Sequence, residues 1–279
     1  MIIDGKKVAS EVKEELLNKI NSLNKKLKLV VIQVGNNEAS TVYVNAKKKL
    51  ALSMNIDFSL LHYEYISEND LINKIEELNK DDSVTGILVQ LPLPNLDQNK
   101  IIEKIDPKKD VDGLTSYNLN ERINGKDAII PCTTLGILKL FDYYNISLEG
   151  KRVVIIGRSR LVGLPTYLEL LNRNATVTVC HSKTVNLKDI VKENDIIISA
   201  TGKKHLIGKD MVKDRAVIID VGITREDKLY GDVNPNVESK ASYLTPVPGG
   251  VGPMTVVMLL KNTMEAYLKQ NKEEKGPSF

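Results

Sequence analysis

Residues Val153–Pro165, with the sequence VVIIGRSRLVGLP, decide the fold of this chain. Four β-branched apolar residues in a row predict a buried strand, and Gly157 directly after them predicts a tight turn. The residues that follow, Leu161–Leu171, have the apolar spacing of a helix. A strand, a glycine turn and a helix in this order bring free backbone N–H groups and the positive end of a helix dipole together. The stretch therefore predicts a phosphate-binding loop.

The loop departs from the standard dinucleotide pattern G-x-G-x-x-G, because Ser159 replaces the second glycine and Gly163 comes one place late. NAD-binding domains place an Asp or Glu at the end of the second strand, where it holds the ribose 2′-hydroxyl. Here the second strand, Thr176–Cys180, is followed by His181-Ser182-Lys183. A 2′-phosphate meets no repulsion there, and Arg158 adds a charge-assisted donor. The sequence predicts NADP as the cofactor, with NAD as the alternative.

Strand and helix patterns alternate on both sides of this loop. The predicted strands are Leu29–Val34, Asp57–Tyr63, Gly86–Leu91, Arg152–Ile156, Thr176–Cys180, Asp195–Ala200 and Ala216–Val221. The predicted helices include Lys7–Leu23, Thr41–Met54, Glu68–Leu78, Leu161–Leu171, Leu187–Lys192 and Thr255–Lys269. Such alternation predicts parallel sheets covered by helices on both faces.

The order of these elements predicts an α/β fold with two domains. Residues 1–131 and 248–279 are predicted to form an N-terminal α/β catalytic domain. Residues 132–247 are predicted to form a Rossmann-like, NADP-binding domain with a parallel sheet. The final helix has no strand after it, so we expect it to return to the first domain. Lys272–Phe279 is polar, contains Gly and Pro, and is predicted to be a loose tail.

Composition excludes several classes of protein. Apolar residues make up 42% of the chain, charged residues 27%, and the formal net charge is +3, so nothing requires a nucleic-acid or membrane partner. Cys132 and Cys180 are far apart, and neither a disulfide framework nor a zinc-ligand spacing is present, so no metal is predicted. Without an apolar signal segment at the N-terminus or a run of ~18 apolar residues, the expected location is the cytoplasm, and an organelle reached by an import sequence that has been removed is the alternative.

A serine, a phenol and an amine fall on one predicted helical face. Ser40, Tyr43 and Lys47 are spaced three and four residues apart, so their side chains are neighbours on the helix. A lysine acts as a base only when burial or neighbours lower its pKa from ~10.4. The competing interpretation of Lys47 is a solvated surface lysine. Gln90 ends a predicted strand before a Pro-x-Pro exit, at the edge of the sheet where ligands bind.

Two loops complete the set of candidate segments. Asp106–Gly113 resembles a calcium-binding loop only superficially, because Lys108 occupies the position of the first calcium ligand. A loop that positions the substrate is the better interpretation. Thr245–Thr255 alternates proline and glycine, which predicts a fixed backbone that can lie close to a flat ligand. The pair Tyr43-x-x-x-Lys47 is similar to that of short-chain dehydrogenases, but here the pair precedes the glycine loop, and that order excludes the family.

Together these segments closely resemble the bifunctional methylenetetrahydrofolate dehydrogenase/cyclohydrolase family, known as FolD. The resemblance runs through nearly the whole chain and is carried by Ser40–Lys47, Gly86–Pro94, Lys109–Gly113, Pro131–Thr133, Gly157–Pro165 and Pro246–Thr255. It implies two reactions: 5,10-methylenetetrahydrofolate gives a hydride to NADP⁺, and the resulting 5,10-methenyl compound is hydrolysed to 10-formyltetrahydrofolate. It also implies a place in one-carbon metabolism and purine biosynthesis, and a homodimer.

The resemblance implies a role for each motif residue. Lys47 would be the acid/base group of the cyclohydrolase step, held in its active state by Gln90, and Asp112 would bind the pterin. Asp110 would be a supporting residue. The implied catalytic residues are Lys47, Gln90, Tyr43 and Asp112, and the implied folate-binding residues are Ser40, Tyr43, Leu91, Pro92, Asp112, Pro246, Gly249 and Gly250. The implied NADP-binding residues are Gly157, Arg158, Ser159, Val162, Gly163, His181, Ser182, Thr201, Gly202 and Ile223.

Three positions depart from the family pattern: Thr134, Asn55 and Lys204 stand where proline, glycine and proline are usual. They lie in turns or in the nucleotide domain, so they put in doubt local geometry and cofactor affinity and leave the Lys47 group unaffected.

Two other functions are rivals. One is another two-domain dehydrogenase, such as a shikimate or amino-acid dehydrogenase, and the other is a non-catalytic folate- or nucleotide-binding protein.

Overall fold

The structure is a computed structural model that describes residues 1–274. Its helices are α1 (Gly5–Asn21), α2 (Glu38–Ser53), α3 (Glu68–Lys80), α4 (Gln98–Ile102), α5 (Ser116–Ile123), α6 (Cys132–Tyr143), α7 (Gly163–Leu171), α8 (Leu187–Lys192) and α9 (Val251–Glu274). Its strands are β1 (Lys28–Val34), β2 (Asp57–Tyr63), β3 (Gly86–Gln90), β4 (Arg152–Ile156), β5 (Thr176–Cys180), β6 (Ile196–Ser199), β7 (Val217–Asp220), β8 (Thr224–Arg225), β9 (Leu229–Tyr230) and β10 (Tyr243–Leu244). Two short 3₁₀ helices lie at Lys209–Met211 and Pro235–Ser239.

The first compact unit, called here the three-stranded unit, comprises Val12–Cys132 and the chain from Val256 onward. Its sheet has the order β2-β1-β3, and both pairings are parallel. The central strand β1 is buried almost throughout, as a strand covered on both faces must be. α3 packs Leu71 and Ile75 against this sheet, and both side chains are fully buried. The carboxyl ends of β1 and β3 therefore have fixed positions.

The second compact unit, called here the five-stranded unit, comprises Met1–Glu11 and Thr133–Thr255. Its sheet is wholly parallel, with the order β10-β7-β6-β4-β5. β4 lies between β6 and the edge strand β5, and the phosphate loop leaves its carboxyl end. Ile197 and Ile218, from neighbouring strands, are fully buried in the core of the unit.

The α/β class, the two-domain organisation and the parallel sheets predicted from the sequence are confirmed. The bounds of three predicted strands, Asp57–Tyr63, Arg152–Ile156 and Thr176–Cys180, and of the helix Leu187–Lys192 agree with the structure. Pattern reasoning missed α6, whose twelve residues are apolar on most sides and so lack the periodicity of a surface helix.

The last helix, α9, begins at Val251, four residues before the predicted start at Thr255. Its Pro253 lies in the first turn, where no intrahelical hydrogen bond is lost. From Val256 onward α9 belongs to the three-stranded unit, where Asn262 Nδ2 donates to Val111 O at 3.0 Å, so the predicted return of this helix is confirmed. The tail predicted at Lys272–Phe279 is helical to Glu274, and residues 275–279 lie outside the described chain.

Within residues 1–274, no helix has both the length and the apolar character that a bilayer span requires.

Candidate active site

Lys47 and Gln90 meet at the carboxyl edge of the three-stranded sheet. Lys47 is on α2 and Gln90 ends β3, and the Lys47 Nζ donates to Gln90 Oε1 at 2.8 Å. The Gln90 amide is fixed in turn, because its Nε2 donates to Leu91 O at 2.8 Å. Since the amide nitrogen is bound elsewhere, only the acceptor oxygen of Gln90 faces the amine. The sequence placed these two residues in one site, and the structure brings them into contact.

Burial lowers the pKa of the Lys47 amine. Part of the side chain remains accessible, but its Nζ is surrounded by protein, and desolvation disfavours the charged form. The charge of Asp112 and the nearby Cys132 oppose this shift. Gln90 is neutral, so it orients the amine without adding a negative charge that would restore the usual pKa. The competing interpretation of Lys47 as a solvated surface lysine is therefore wrong.

The other two residues of the predicted helical stripe differ in exposure. Ser40 is 6% exposed, and its hydroxyl donates a hydrogen bond to Leu91 O at 3.3 Å. Tyr43 is 41% exposed, so its ring is available to a ligand. α2 begins at a side-chain cap, in which Asn37 Oδ1 accepts from Ser40 N at 2.9 Å. This cap fixes the start of the helix, and with it the position of Lys47 two turns later.

The cis peptide bond between Leu91 and Pro92 turns the chain directly after Gln90. Leu91 is partly buried and Pro92 is exposed. Leu91 O accepts from both Gln90 and Ser40, so this one carbonyl joins β3 to α2. Sequence reasoning missed a second hydrogen bond between a strand and α2. The buried Gln33 on β1 donates from its Nε2 to Thr41 Oγ1 at 2.9 Å.

Asp112 is presented by a loop that Asp110 holds together. The Asp110 carboxylate is 1% exposed and accepts from Gly113 N at 3.0 Å and from Thr115 N at 2.8 Å. Gly113 has a φ of +70°, and a Cβ there would lie 2.9 Å from Ile129 O, so only glycine fits. Burial raises the pKa of Asp110, against the effect of these hydrogen bonds. Asp110 is thus a structural support, and Asp112 is the partly exposed carboxylate of the loop.

Cys132 lies beside Asp112 and is fully enclosed. Burial, followed by the charge of Asp112, raises the pKa of its thiol well above the usual value, so the sulfur stays protonated. The Cys132 Sγ donates to Val111 O at 3.3 Å. Asn262 on α9 is 2% exposed and also donates to Val111 O. Sequence reasoning found the Pro-Cys-Thr motif but missed Asn262, because nothing in the sequence of α9 indicates which turn reaches the loop.

The phosphate loop of the five-stranded unit depends on two glycines. Gly157 has a φ of +118°, and a Cβ there would lie 2.4 Å from Ala200 O. A Cβ on Gly163 would lie 2.1 Å from Gly157 O, so α7 starts directly against the turn. Ser159 replaces the missing glycine with a hydrogen bond, since its Oγ accepts from Val162 N at 3.2 Å. The irregular glycine spacing therefore still produces a strand, a turn and a helix N-terminus that can receive a phosphate.

A cavity of about 390 Å³ opens beside this loop. Six of the ten predicted cofactor residues line it: Gly157, Arg158, Ser159, His181, Ser182 and Thr201. Val162, Gly163, Gly202 and Ile223 do not line it. Sequence reasoning missed Lys203, a second cation in the lining. None of the described lining residues is acidic, and this composition suits a 2′-phosphate.

His181 is oriented by the turn that follows β5. Its backbone N donates to Thr184 Oγ1 at 2.9 Å, and its Nδ1 accepts from Lys183 N at 3.1 Å. Because Nδ1 accepts, the proton of the neutral ring is on Nε2, which is free to donate to a ligand. Ser182 and Arg158 are exposed at the same opening.

The segment Thr245–Gly250 closes into a tight turn in the five-stranded unit. Gly250 N donates to Pro246 O at 2.8 Å, and Gly249 has a φ of +111°. A Cβ on Gly250 would lie 2.7 Å from Pro246 O, and the Val247-Pro248 bond is cis. The α1 residue Gly5 packs so closely that a Cβ on it would reach Gly250 O at 1.8 Å. These close contacts leave no room for a side chain at Gly5 or Gly250.

The structure accounts for all three departures from the family pattern. Thr134 is fully buried, and its hydroxyl hydrogen-bonds that of Thr166 on α7 at 3.0 Å. Lys204 forms an ion pair with Glu226, and its Nζ lies 3.6 Å from the centroid of the Tyr230 ring. Asn55 takes the left-handed conformation with a φ of 57°, which asparagine tolerates in a turn.

The described residues contain no group of three or more His, Cys, Asp or Glu side chains that could hold a metal ion. The two cysteines, Cys132 and Cys180, are both buried and unpaired.

A Rossmann-like sheet with a phosphate loop, together with a second α/β unit that carries a desolvated lysine, defines a two-domain dinucleotide-linked enzyme. Family models match both parts of the chain: the tetrahydrofolate dehydrogenase/cyclohydrolase catalytic domain at residues 3–112 and the NAD(P)-binding domain of the same family at residues 131–271. The chain belongs to the tetrahydrofolate dehydrogenase/cyclohydrolase family.

Individual relatives agree over almost the full length. The bifunctional protein FolD of Agathobacter rectalis is 50% identical and aligns over 95% of this chain and 98% of its own. The crystal structure of FolD from Campylobacter jejuni has a TM-score of 0.94 at 45% identity, covering 97% of this chain and 99% of that one. The FolD enzyme of Trypanosoma brucei, solved with NADP and an inhibitor, has a TM-score of 0.92 at 34% identity and covers 98% of each chain.

The rival shikimate dehydrogenases share the fold alone. Shikimate dehydrogenase 1 of Peptoclostridium difficile has a TM-score of 0.52 at 15% identity. This similarity extends to the architecture and carries no information about substrate.

Proposed function

We propose that this protein oxidises 5,10-methylenetetrahydrofolate with NADP⁺ and hydrolyses the resulting 5,10-methenyltetrahydrofolate to 10-formyltetrahydrofolate. The observation that carries the proposal is the desolvated Lys47 amine, held at 2.8 Å by the neutral Gln90 Oε1. Hydrolysis near neutral pH needs a group that can accept and return a proton, and an amine of lowered pKa does so. Membership in a dehydrogenase/cyclohydrolase family supports both reactions.

Lys47 is the proposed acid/base residue of the hydrolysis. In its neutral form the amine accepts a proton from the water that attacks the methenyl carbon. The protonated amine then gives that proton to the ring nitrogen as the carbon–nitrogen bond breaks, while the hydroxyl on the former methenyl carbon loses its proton to solvent and becomes the formyl oxygen. Gln90 holds one of the two N–H groups of the neutral amine, so the second N–H and the lone pair stay available to water and substrate.

Asp112 and Tyr43 are the proposed contacts to folate in the three-stranded unit. Asp112 is a partly exposed carboxylate on a loop that Asp110 fixes, so it can accept hydrogen bonds from the pterin N–H groups. Tyr43 is exposed one helical turn before Lys47 and offers a ring face. We propose Ser40, Leu91 and Pro92 as the remaining substrate contacts of this unit.

The five-stranded unit is the proposed dinucleotide site. NADP⁺, when bound, accepts the hydride that leaves the methylene carbon. The Gly157 turn and the start of α7 would hold the pyrophosphate, and Arg158, His181 and Ser182 would hold the 2′-phosphate. The Trypanosoma brucei relative, solved with NADP, supports this choice of cofactor. We also propose Val162, Gly163, Thr201, Gly202 and Ile223 as cofactor contacts, and Pro246, Gly249 and Gly250 as folate contacts.

A single assay tests both activities. The protein is incubated with methylenetetrahydrofolate and NADP⁺ or NAD⁺, NADPH or NADH is followed spectroscopically, and methenyltetrahydrofolate is then supplied alone. We expect reduction with a clear preference for NADP⁺, and hydrolysis in the absence of dinucleotide. Absence of both reactions would favour the non-catalytic binding protein, and a preference for NAD⁺ would overturn the cofactor assignment.

We further propose that residues 1–131 and 248–279 carry the folate chemistry and that residues 132–247 carry the dinucleotide site.

The protein is proposed to act as a homodimer in the cytoplasm. Leu164 and Leu171 of α7 are exposed apolar side chains beside the edge strand β5, as a surface between two copies requires. The free cysteines suit a reducing compartment. Sedimentation equilibrium tests the dimer, and a monomer at all accessible concentrations would exclude it.

A further inference from the structure

Asp232 collects four hydrogen bonds in the interior of the five-stranded unit. It follows β9 in the sequence and is fully buried. Its Oδ2 accepts from Ser199 Oγ at 2.8 Å, from Thr201 N at 2.7 Å and from Thr201 Oγ1 at 2.9 Å. Its Oδ1 accepts from Lys203 N at 2.8 Å. A single carboxylate therefore fixes the loop Thr201–Lys203, which begins two residues after β6 ends.

Asp220 performs the corresponding task for the segment that carries Asp232. Asp220 ends β7 and is 3% exposed. Its Oδ1 accepts from Asp232 N at 3.0 Å and its Oδ2 from Val233 N at 2.9 Å. The backbone of Asp220 is held by Thr245, whose Oγ1 accepts from Asp220 N at 2.7 Å. Thr245 is the first residue of the Pro-Gly segment proposed to contact folate.

Two glycines make room for the two carboxylates. A Cβ on Gly222 would lie 2.0 Å from Asp232 Oδ1, and a Cβ on Gly231 would lie 1.9 Å from Asp220 Oδ2. Neither glycine has a positive φ that would require it for backbone reasons. Both are needed because the carboxylates occupy the space that a side chain would fill.

The result is a continuous chain of hydrogen bonds that starts at the proposed cofactor loop. It runs from Thr201 and Lys203 to Asp232, from Asp232 to Asp220, and from Asp220 to Thr245. Thr201 and Lys203 line the dinucleotide cavity, whereas Asp232 and Asp220 do not. The two aspartates can therefore act on the reaction only through the loops that they hold.

We infer that Asp232 and Asp220 are positioning residues of the dehydrogenase reaction, which fix the Thr201–Lys203 loop to Thr245 and so set the cofactor loop relative to the Pro246–Gly250 turn. This inference rests on the proposed function. Hydride transfer needs both rings held in one arrangement, and small displacements of either cost rate. Hydrolysis of the methenyl compound uses no dinucleotide, so it does not need the Thr201–Lys203 loop.

The protonation state of the Asp220 carboxyl group affects this network of hydrogen bonds. Burial, with the charge of Asp232 as a further contribution, raises the pKa of Asp220 to about 7 despite its backbone hydrogen bonds. Asp220 also lines a second cavity, of about 360 Å³. The other titratable residues that line this cavity are His205, Lys228, Tyr230 and Glu238.

The test measures both reactions of Asp232→Asn. The amide would direct N–H donors at positions that already receive donors, so the loop loses its acceptor. We expect KM for NADP⁺ to rise and dehydrogenase kcat/KM to fall by at least about tenfold, the equivalent of one lost charge-assisted bond. Cyclohydrolase activity per folded molecule should change by less than about twofold. Asp214→Asn is the matched control, since the Asp214 side chain is 81% exposed and pairs with Lys240 at the surface.

A milder variant covers the case in which Asp232→Asn does not fold. Ser199→Ala removes one of the three donors to Asp232 Oδ2, and Ser199 does not line the dinucleotide cavity. We expect a smaller rise of KM for NADP⁺, on the order of threefold, with hydrolysis again preserved. A proportional loss of both activities, or no loss of either, overturns the inference. If the unmodified protein reduces no NADP⁺, the proposed function has failed, and the two failures are thus distinguished.

Discussion

Two lysines of the three-stranded unit, Lys47 and Lys109, have desolvated amines, and the two amines have different roles. The Lys109 Nζ donates to the backbone carbonyls of Leu78 at 3.2 Å and of Asp81 at 2.8 Å, at the carboxyl end of α3. The Lys47 Nζ donates to one neutral amide oxygen, that of Gln90. Burial lowers the pKa of both amines, and nearby carboxylates oppose the shift in both.

The difference shows that burial alone does not make a lysine a base. The amine of Lys109 satisfies the unpaired carbonyls of a helix end, where a cation is favoured, and Asp106, Asp81 and Asp82 surround it. Within the described part of the chain the amine of Lys47 has one hydrogen-bond partner, Gln90, and it retains hydrogen-bonding capacity for a substrate. The number and charge of the partners therefore distinguish the catalytic lysine from the structural one.

The largest effect is expected when Lys47 is replaced by methionine, which keeps the apolar stem. Cyclohydrolase kcat should fall by about 10²–10⁴-fold, the usual contribution of general acid–base catalysis. NADP⁺ affinity, measured by calorimetry, should be unchanged, because the dinucleotide residues belong to the other unit. Normal hydrolysis of methenyltetrahydrofolate by this variant would remove Lys47 from the mechanism.

Lys109→Met should produce the opposite pattern. Leu78 O and Asp81 O lose their cationic partner, so we expect the free energy of unfolding to fall by about 1–3 kcal/mol in urea titrations. The ratio of the two activities should stay that of the unmodified protein. A variant of normal stability that had lost hydrolysis alone would contradict the comparison.

Gln90→Glu tests why the partner of Lys47 is neutral. A carboxylate at 2.8 Å would favour the charged amine and raise its pKa. Hydrolysis needs the neutral amine, so kcat near pH 7 should fall, by roughly tenfold per pKa unit, and recover as the pH is raised. A pH–rate profile that keeps the midpoint of the unmodified enzyme would show that Gln90 does not control this amine.

Asp220→Asn extends the comparison to a buried carboxyl group, and its expected effect is a change in the pH dependence of stability. The pKa of Asp220 is raised in the folded state to about 7 from its usual value of 3.8, so the folded state binds more protons between these two pH values. Its contribution to stability is present below pH 3.8 and is lost as the pH rises through about 7. The asparagine variant lacks this loss, so its stability relative to the unmodified protein should rise between pH 4 and 7. Chemical denaturation at a series of pH values measures the difference, and parallel curves would refute the assignment.

Much of the fold follows from local patterns. The β-branched runs of β4 and β5 have no competing interpretation, and their predicted bounds agree with the structure. α6 was missed because a helix buried on most sides shows no amphipathic period. The predicted start of α9 was four residues late, and Pro253 lies in the first turn, where a helix permits proline.

The sequence by itself determined the α/β class, the phosphate loop at Gly157, the absence of an acid after β5, and the helical stripe that carries Lys47. Each of these depends on neighbours along the chain, which local periodicity and turn chemistry can report. Only the tertiary structure decided that the Lys47 amine is desolvated against Gln90, that Lys203 reaches the dinucleotide cavity, and that Asp220 and Asp232 form one network. Burial and the convergence of donors arise where distant segments meet, and no single segment specifies them.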